Sequence, residues 1–181
     1  MEFNYNKFSN DLFQELVTAF QKMTEEHKDL YAFTLSCSRD VRSIGVIANT
    51  KTYLAKNADK QSEDYWYYKY CENEWEIFDT FHTLSKDMSM FLENDPDKFT
   101  NPNTYFFTEE FDEHFDRIVA ACDEVISRLR DSKGKQEHPN ILLNFNVEDY
   151  SMGMTGSTDL RCLMEKKRQR NMKSILKNLC E

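Results

Sequence analysis

Leu30-Tyr-Ala-Phe-Thr-Leu-Ser-Cys-Ser-Arg-Asp-Val-Arg-Ser-Ile-Gly-Val-Ile-Ala-Asn-Thr-Lys-Thr-Tyr-Leu54 reads as a β-hairpin that runs directly into the start of a helix. Tyr31, Phe33 and Leu35 alternate with Ala32, Thr34 and Ser36, the period of a strand with one buried face. Ser38, Arg39 and Asp40 form a polar turn. Ile44, Val46 and Ala48 then resume the alternation, with Gly45 and Ile47 on the other face. Asn49 and Thr50 follow, both suited to capping a helix N-terminus, and Tyr53 and Leu54 begin its apolar side.

Outward from the hairpin, the spacing predicts long amphipathic helices. Leu12, Phe13, Leu16, Val17, Phe20 and Met23 recur at helical spacing over residues 9–26, with Ser9 as cap. The short helix after Thr50 dies in the polar run 56–62. Ile77, Phe78, Phe81, Leu84, Met88, Phe91 and Leu92 predict another helix, stopped by Asn94-Asp95-Pro96-Asp97. Asn101-Pro102-Asn103 is a further punctuator. Thr108 starts the most regular helix, with Phe111, Phe115, Ile118, Val119, Cys122, Val125, Ile126 and Leu129 on one face. Glu109, Glu110, Asp112 and Glu113 suit its positive end, Arg128 and Arg130 its negative one. Residues 132–139 read as a polar loop. Ile141, Leu143, Phe145 and Val147 alternate as a closing strand, and 151–158, with Gly153 and Gly156, reads as a loop. The aromatic run 65–70 reads as a strand, because rings favour the pleated surface. The expectation is a single α+β domain: an antiparallel or mixed sheet of about four strands, packed with several long amphipathic helices.

The chain of 181 residues is long enough to bury a substantial core, and 14 Phe with 9 Tyr argue against disorder. Four Gly and three Pro leave few tight turns. The net charge of −9 is unevenly spread: residues 159–181 carry seven Lys/Arg and three Asp/Glu, leaving 16 basic and 29 acidic residues in 1–158. The division expected is an acidic body over 1–158 and a basic amphipathic helix over 159–181. Met172, Ile175, Leu176 and Leu179 form the apolar side of that helix. It could dock on the acidic body, lie on a membrane or reach for nucleic acid; docking in cis is preferred. An acidic body repels nucleic acid and attracts basic proteins.

Cys37, Cys71, Cys122, Cys162 and Cys180 are odd in number and none has C-x-x-C spacing. Neither a disulfide framework nor a zinc site is expected. No signal-peptide pattern and no run long enough for a membrane span is present. The expectation is a cytoplasmic protein with no metal and no cofactor. His27, His82, His114 and His138 are scattered, and the segment 151–157 fails the P-loop pattern. The nearest approach to a catalytic cluster is Cys71 with His82, close to Glu72 and Glu74. The alternative for His82 is a half-exposed structural residue beside Phe81.

The block 65–75 offers a different chemistry. Tyr65, Trp66, Tyr67, Tyr68 and Tyr70 would place rings on both faces of a strand. Either helices cover both faces, or one face is turned to a partner, since Tyr and Trp are enriched at interface hot spots. With the neighbouring acids, the expected contact set is Tyr65, Trp66, Tyr67, Tyr68, Glu72, Glu74 and Trp75.

Residues 31–35 (Tyr-Ala-Phe-Thr-Leu), 48–50 (Ala-Asn-Thr) with Tyr53-Leu54, the aromatic run ending in Glu74-Trp75, and the closing strand 141–149 resemble a bacterial group known as domain of unknown function 4303. The resemblance spans residues 8–151 and implies a small single-domain α+β protein with no established activity. The group commonly ends in a Leu-Asn-Pro-like segment, where this chain has its basic run. By analogy, similar small acidic families serve as immunity proteins against toxins. The reading preferred from the sequence is thus a non-enzymatic domain that binds a basic protein, such as a toxin it neutralises. The alternatives are a small cytoplasmic enzyme and a regulatory or scaffold subunit.

Overall fold

Strand β1 (Leu30–Ser38) is buried along its entire length. It is therefore covered on both faces, not on the single face its alternation suggests. The structure is a computed structural model, and it describes residues 2–148. The expected loop 151–158 and basic helix 159–181 lie outside the described residues. β1 pairs antiparallel with β2 (Ile44–Thr50), as the hairpin reading requires, and parallel with β4 (Leu142–Glu148). With β3 (Ile77–Thr80) on the outer side of β2, the sheet is mixed and ordered β3-β2-β1-β4.

One face of the sheet carries the main core. Helices α1 (Tyr5–Glu26), α4 (His82–Glu93) and α6 (Glu109–Arg130) supply Leu12, Leu16, Phe20, Leu84, Met88, Ile118, Val125 and Leu129 to it. The sheet supplies Phe33, Leu35, Ile44, Val46 and Ala48. The other face carries a smaller cluster of Tyr31, Ala32, Ile47, Leu54, Ala58 and Trp75. It lies under α2 (Lys51–Asn57) and α3 (Tyr65–Tyr70).

Tyr31 is in the smaller cluster because of a bulge. Leu30 pairs with Thr50 and Ala32 with Asn49, so Tyr31 is one residue too many for β2. It thereby leaves the face of Phe33 and Leu35. Its buried hydroxyl donates to the Lys69 carbonyl (2.8 Å) and accepts from the Asn49 amide (3.1 Å). The hairpin turn has a second irregularity. Val41 holds a left-handed φ of 46°, uncommon for a β-branched residue, and its side chain is buried in the main core. Ser38 closes this turn by accepting from the amides of Arg42 (3.1 Å) and Ser43 (2.9 Å).

The sheet and the aromatic run differ from the expectation at two segments. Residues 65–70 are a helix, not a strand. At helical spacing Tyr65 and Tyr68 share one face and pack on the smaller cluster. Trp66 and Tyr70, four residues apart, stack with ring centroids 5.7 Å apart. Packing of this kind overrides a β-propensity that is worth only about 1 kcal/mol across its whole scale. The missing strand is found at β3, where a helix was expected to begin. Ile77 packs against the main core and Phe78 points to solvent, a period-2 pattern too short to stand out beside the helical one that follows. The ladder ends where the Phe81 amide bonds the Ile44 carbonyl, and α4 starts at once.

The first helix begins at Tyr5 rather than Ser9, capped by Asn4, whose side chain accepts from the Lys7 amide. Two short helices, α5 (Pro96–Phe99) and α7 (Lys133–Glu137), occupy segments that carry no long apolar stripe. Two of the expected caps are in place. Thr50 caps α2 through the Tyr53 amide (3.1 Å), and Thr108 caps α6 through the Phe111 amide (3.3 Å) while donating to the Lys98 carbonyl (2.6 Å). Thr108→Ala removes both bonds. It is expected to cost about 1 kcal/mol in a urea titration, with Thr108→Ser recovering most of that.

Candidate partner-binding surface

The aromatic block is divided by α3 into an inner and an outer set. Tyr65 and Tyr68 are half-buried, and Trp75 is buried beneath them with its ring edge-on to Tyr31 at 6.4 Å. Glu72 is also buried, and its carboxylate accepts from the Asn144 amide (2.9 Å) on β4. Of the seven residues expected at a partner surface, these four serve the fold in whole or in part. Trp66 and Tyr67 remain as large exposed rings, 51% and 45% accessible.

The outer set is ordered by local contacts. Lys69 places its ammonium 5.1 Å from the ring centres of both Trp66 and Tyr70, a cation–π arrangement that fixes the stacked pair. Tyr67 donates to the half-buried Glu74 carboxylate (3.1 Å). The neighbouring Cys71 thiol, then partial burial, then Glu74 raise the Tyr67 phenol above its ordinary pKa, so it stays a donor. Exposed Glu63, Asp64 and Glu76 flank this set. The surface is thus two exposed rings with an acidic border. It can desolvate against an apolar patch while its border attracts lysine and arginine.

Cys71 and His82 lie at the ends of different elements. Cys71 follows α3 and faces Tyr67, whereas His82 is exposed at the start of α4, beyond β3. Among the described residues no hydrogen bond links them. A single-turn 3-10 helix, Glu72–Glu74, and strand β3 lie between them in the chain. His114 is elsewhere again, buried on α6 against Tyr5 of α1.

A cleft beside the β2–β3 ladder, lined by Ser36, Ser38, Ser43, Phe78, Thr80 and Glu148, encloses about 70 Å³. That is well below the roughly 300–1,000 Å³ of small-molecule sites. Among the described residues, no group of three or more His, Cys, Asp or Glu side chains is placed to hold a metal ion. No described helix is long and apolar enough to cross a membrane.

The comparisons with known proteins agree with the resemblance read from the hairpin and the aromatic run. A family model described as "Domain of unknown function (DUF4303)" matches residues 5–156. No curated protein and no solved structure matches the chain.

Proposed function

From the premise that the chain belongs to the DUF4303 family, which it matches over most of its length, we propose that the protein is a non-enzymatic binding domain for a basic protein. Its role is that of an immunity protein that neutralises a bacterial toxin in the cytoplasm. The observation that carries this reading is the exposed pair Trp66 and Tyr67, contacted by Lys69 and Glu74 on a body with 16 basic and 29 acidic residues in 1–158. Exposed aromatic anchors of this kind supply most of the energy of many interfaces, and the acidic field steers a cationic partner toward them.

The reading is tested by a pull-down from the source cells with the full chain as bait, at low and at high salt. A basic partner that weakens at high salt is expected, and co-expression should then relieve that partner's toxicity. Reversal of Glu74 and Glu76 to lysine is expected to slow association about tenfold, and Trp66→Ala to speed dissociation by a similar factor. Unchanged kinetics in both variants would remove α3 from the interface. Glu72 is left intact in this design because it is buried against Asn144.

A further inference from the structure

The two most exposed aromatic residues among the described residues, Tyr105 and Phe106, are not on α3. Tyr105, Phe106 and Phe107 are consecutive in the connection between α5 and α6, and are 82%, 74% and 48% accessible. This connection is well structured. Thr100 bridges Phe107, and the Asn101 amide donates to the Phe106 carbonyl (2.9 Å). The Tyr105 amide donates to the Asn101 carbonyl (2.8 Å), and the Asn101 side chain accepts from the amides of Asn103 (2.9 Å) and Thr104 (3.2 Å). Phe107 is the foot of the turn, stacked on Phe111 at 3.8 Å. Tyr105 and Phe106 form its tip.

Tyr105 holds φ at 59°, in the left-handed region. Glycine or asparagine would occupy that position with less strain and would expose no ring. Two locally unfavourable choices thus coincide: a strained backbone and a pair of hydrated aromatic rings. Strain of this kind persists where the surrounding structure enforces it, and it clusters at ligand-contacting positions. The setting of the turn is acidic: Asp95 and Asp97 precede it, and Glu109, Glu110, Asp112 and Glu113 follow it, all exposed.

We propose that the turn Tyr105-Phe106-Phe107 is a contact site of this protein, entering an apolar cleft rimmed by lysine and arginine on a basic protein partner. The site rests on the binding reading above and extends it to a second surface. Charge complementarity selects this occupant. A second copy of the chain brings the same net charge of −9, and an anionic membrane would be repelled by the acidic flank. The turn leads into α6 on the main-core face of the sheet, whereas α3 covers the other face. The two surfaces are therefore separable by mutation.

The test places a photocrosslinking benzoylphenylalanine at position 106, and separately at 66, of the full chain in the source cells. The protein crosslinked is then purified and its affinity measured for the wild type, Phe106→Ser and Glu109→Lys/Glu110→Lys. Crosslinking at 106 to a protein of basic pI is expected, with affinity reduced at least about tenfold in both variants and the thermal midpoint unchanged. Crosslinking at 106 to lipid, to a second copy, to an acidic protein or to nothing would overturn the site. So would unaltered affinity in either variant, or binding of the purified chain to phosphatidylserine vesicles through Phe106. A partner captured from 66 and bound equally by Phe106→Ser would reject the turn while leaving the binding function intact. No protein captured from either position would reject both.

Discussion

Gly45→Ala is expected to destabilise the protein by about 3 kcal/mol, lowering Tm by about 10 °C. Gly45 lies on β2 opposite Thr80 of β3. A β-carbon built there would sit 2.4 Å from the Asp79 carbonyl oxygen and 3.0 Å from the Thr80 Cα. Both neighbours are backbone atoms, so no side-chain rotation relieves the clash. The remaining response is for β3 to move away from β2, its only sheet partner among the described residues. Hydrogen exchange should localise the damage to the amides of Ile77–Thr80, with β1 and β4 less affected. Gly134→Ala is the control. Its β-carbon would meet nothing closer than the Ser132 hydroxyl at 4.0 Å, and the site is helical, so a small gain in stability is expected. An unaltered urea midpoint for Gly45→Ala would mean that β3 can shift at negligible cost.

In acid, His114 is expected to dominate the loss of stability. Its ring is buried among Phe3, Tyr5, Phe91 and Phe99, at centroid distances of 5.1, 5.6, 4.9 and 6.1 Å. Nδ1 lies 2.8 Å from the Tyr5 hydroxyl. Burial raises the Tyr5 phenol pKa despite the Arg117 guanidinium 3.6 Å over its ring, so the hydroxyl stays protonated beside Nδ1. The other ring nitrogen, Nε2, is buried without a hydrogen-bond partner among the described residues. Burial first, and the positive charge of Arg117 second, lower the His114 pKa from 6.5 to about 4.

The sign follows from linkage. The unfolded chain takes up a proton at this histidine below about pH 6.5, and the folded protein does so only near pH 4. Its contribution is complete above pH 6.5 and is lost as the pH falls from 6.5 to 4. Over that interval it amounts to about 3 kcal/mol. His114→Phe keeps the aromatic box and removes the titration. The difference in unfolding free energy between pH 7 and pH 4 should then be smaller in the variant by about that amount. Equal differences in the two proteins would assign the acid sensitivity to other groups. The same box anchors the start of α1, so near pH 4 proteolysis should first release the segment around Phe3 and Tyr5 in the wild type.

Much of this architecture is written locally in the chain. The hairpin 30–50, the caps Thr50 and Thr108, the stripes of α1 and α6 and the alternation of β4 all follow from side-chain period and from which hydroxyl can reach an open amide. The composition of the candidate surface is equally visible, because five rings beside acidic residues need no structure to be noticed. The second aromatic set was signalled only by three consecutive rings after the punctuator Asn101-Pro102-Asn103.

Tertiary structure decided the rest, where local preference is weaker than packing. Residues 65–70 are helical because that spacing lets Tyr65 and Tyr68 cover Trp75 while Trp66 stacks on Tyr70. Tyr31 changes face because one bulge shifts its register against β2, and a period-2 reading cannot contain an extra residue. Trp75 and Glu72 are committed to the fold by partners on other elements, Tyr31 and Asn144, which lie 44 and 72 positions away in sequence. Tyr105 is turned outward in a turn closed by its amide, which donates to the Asn101 carbonyl, with its backbone in a left-handed conformation. In each case the deciding energy comes from contacts made only after the chain has folded, and propensities of a few tenths of a kcal/mol per residue cannot oppose it.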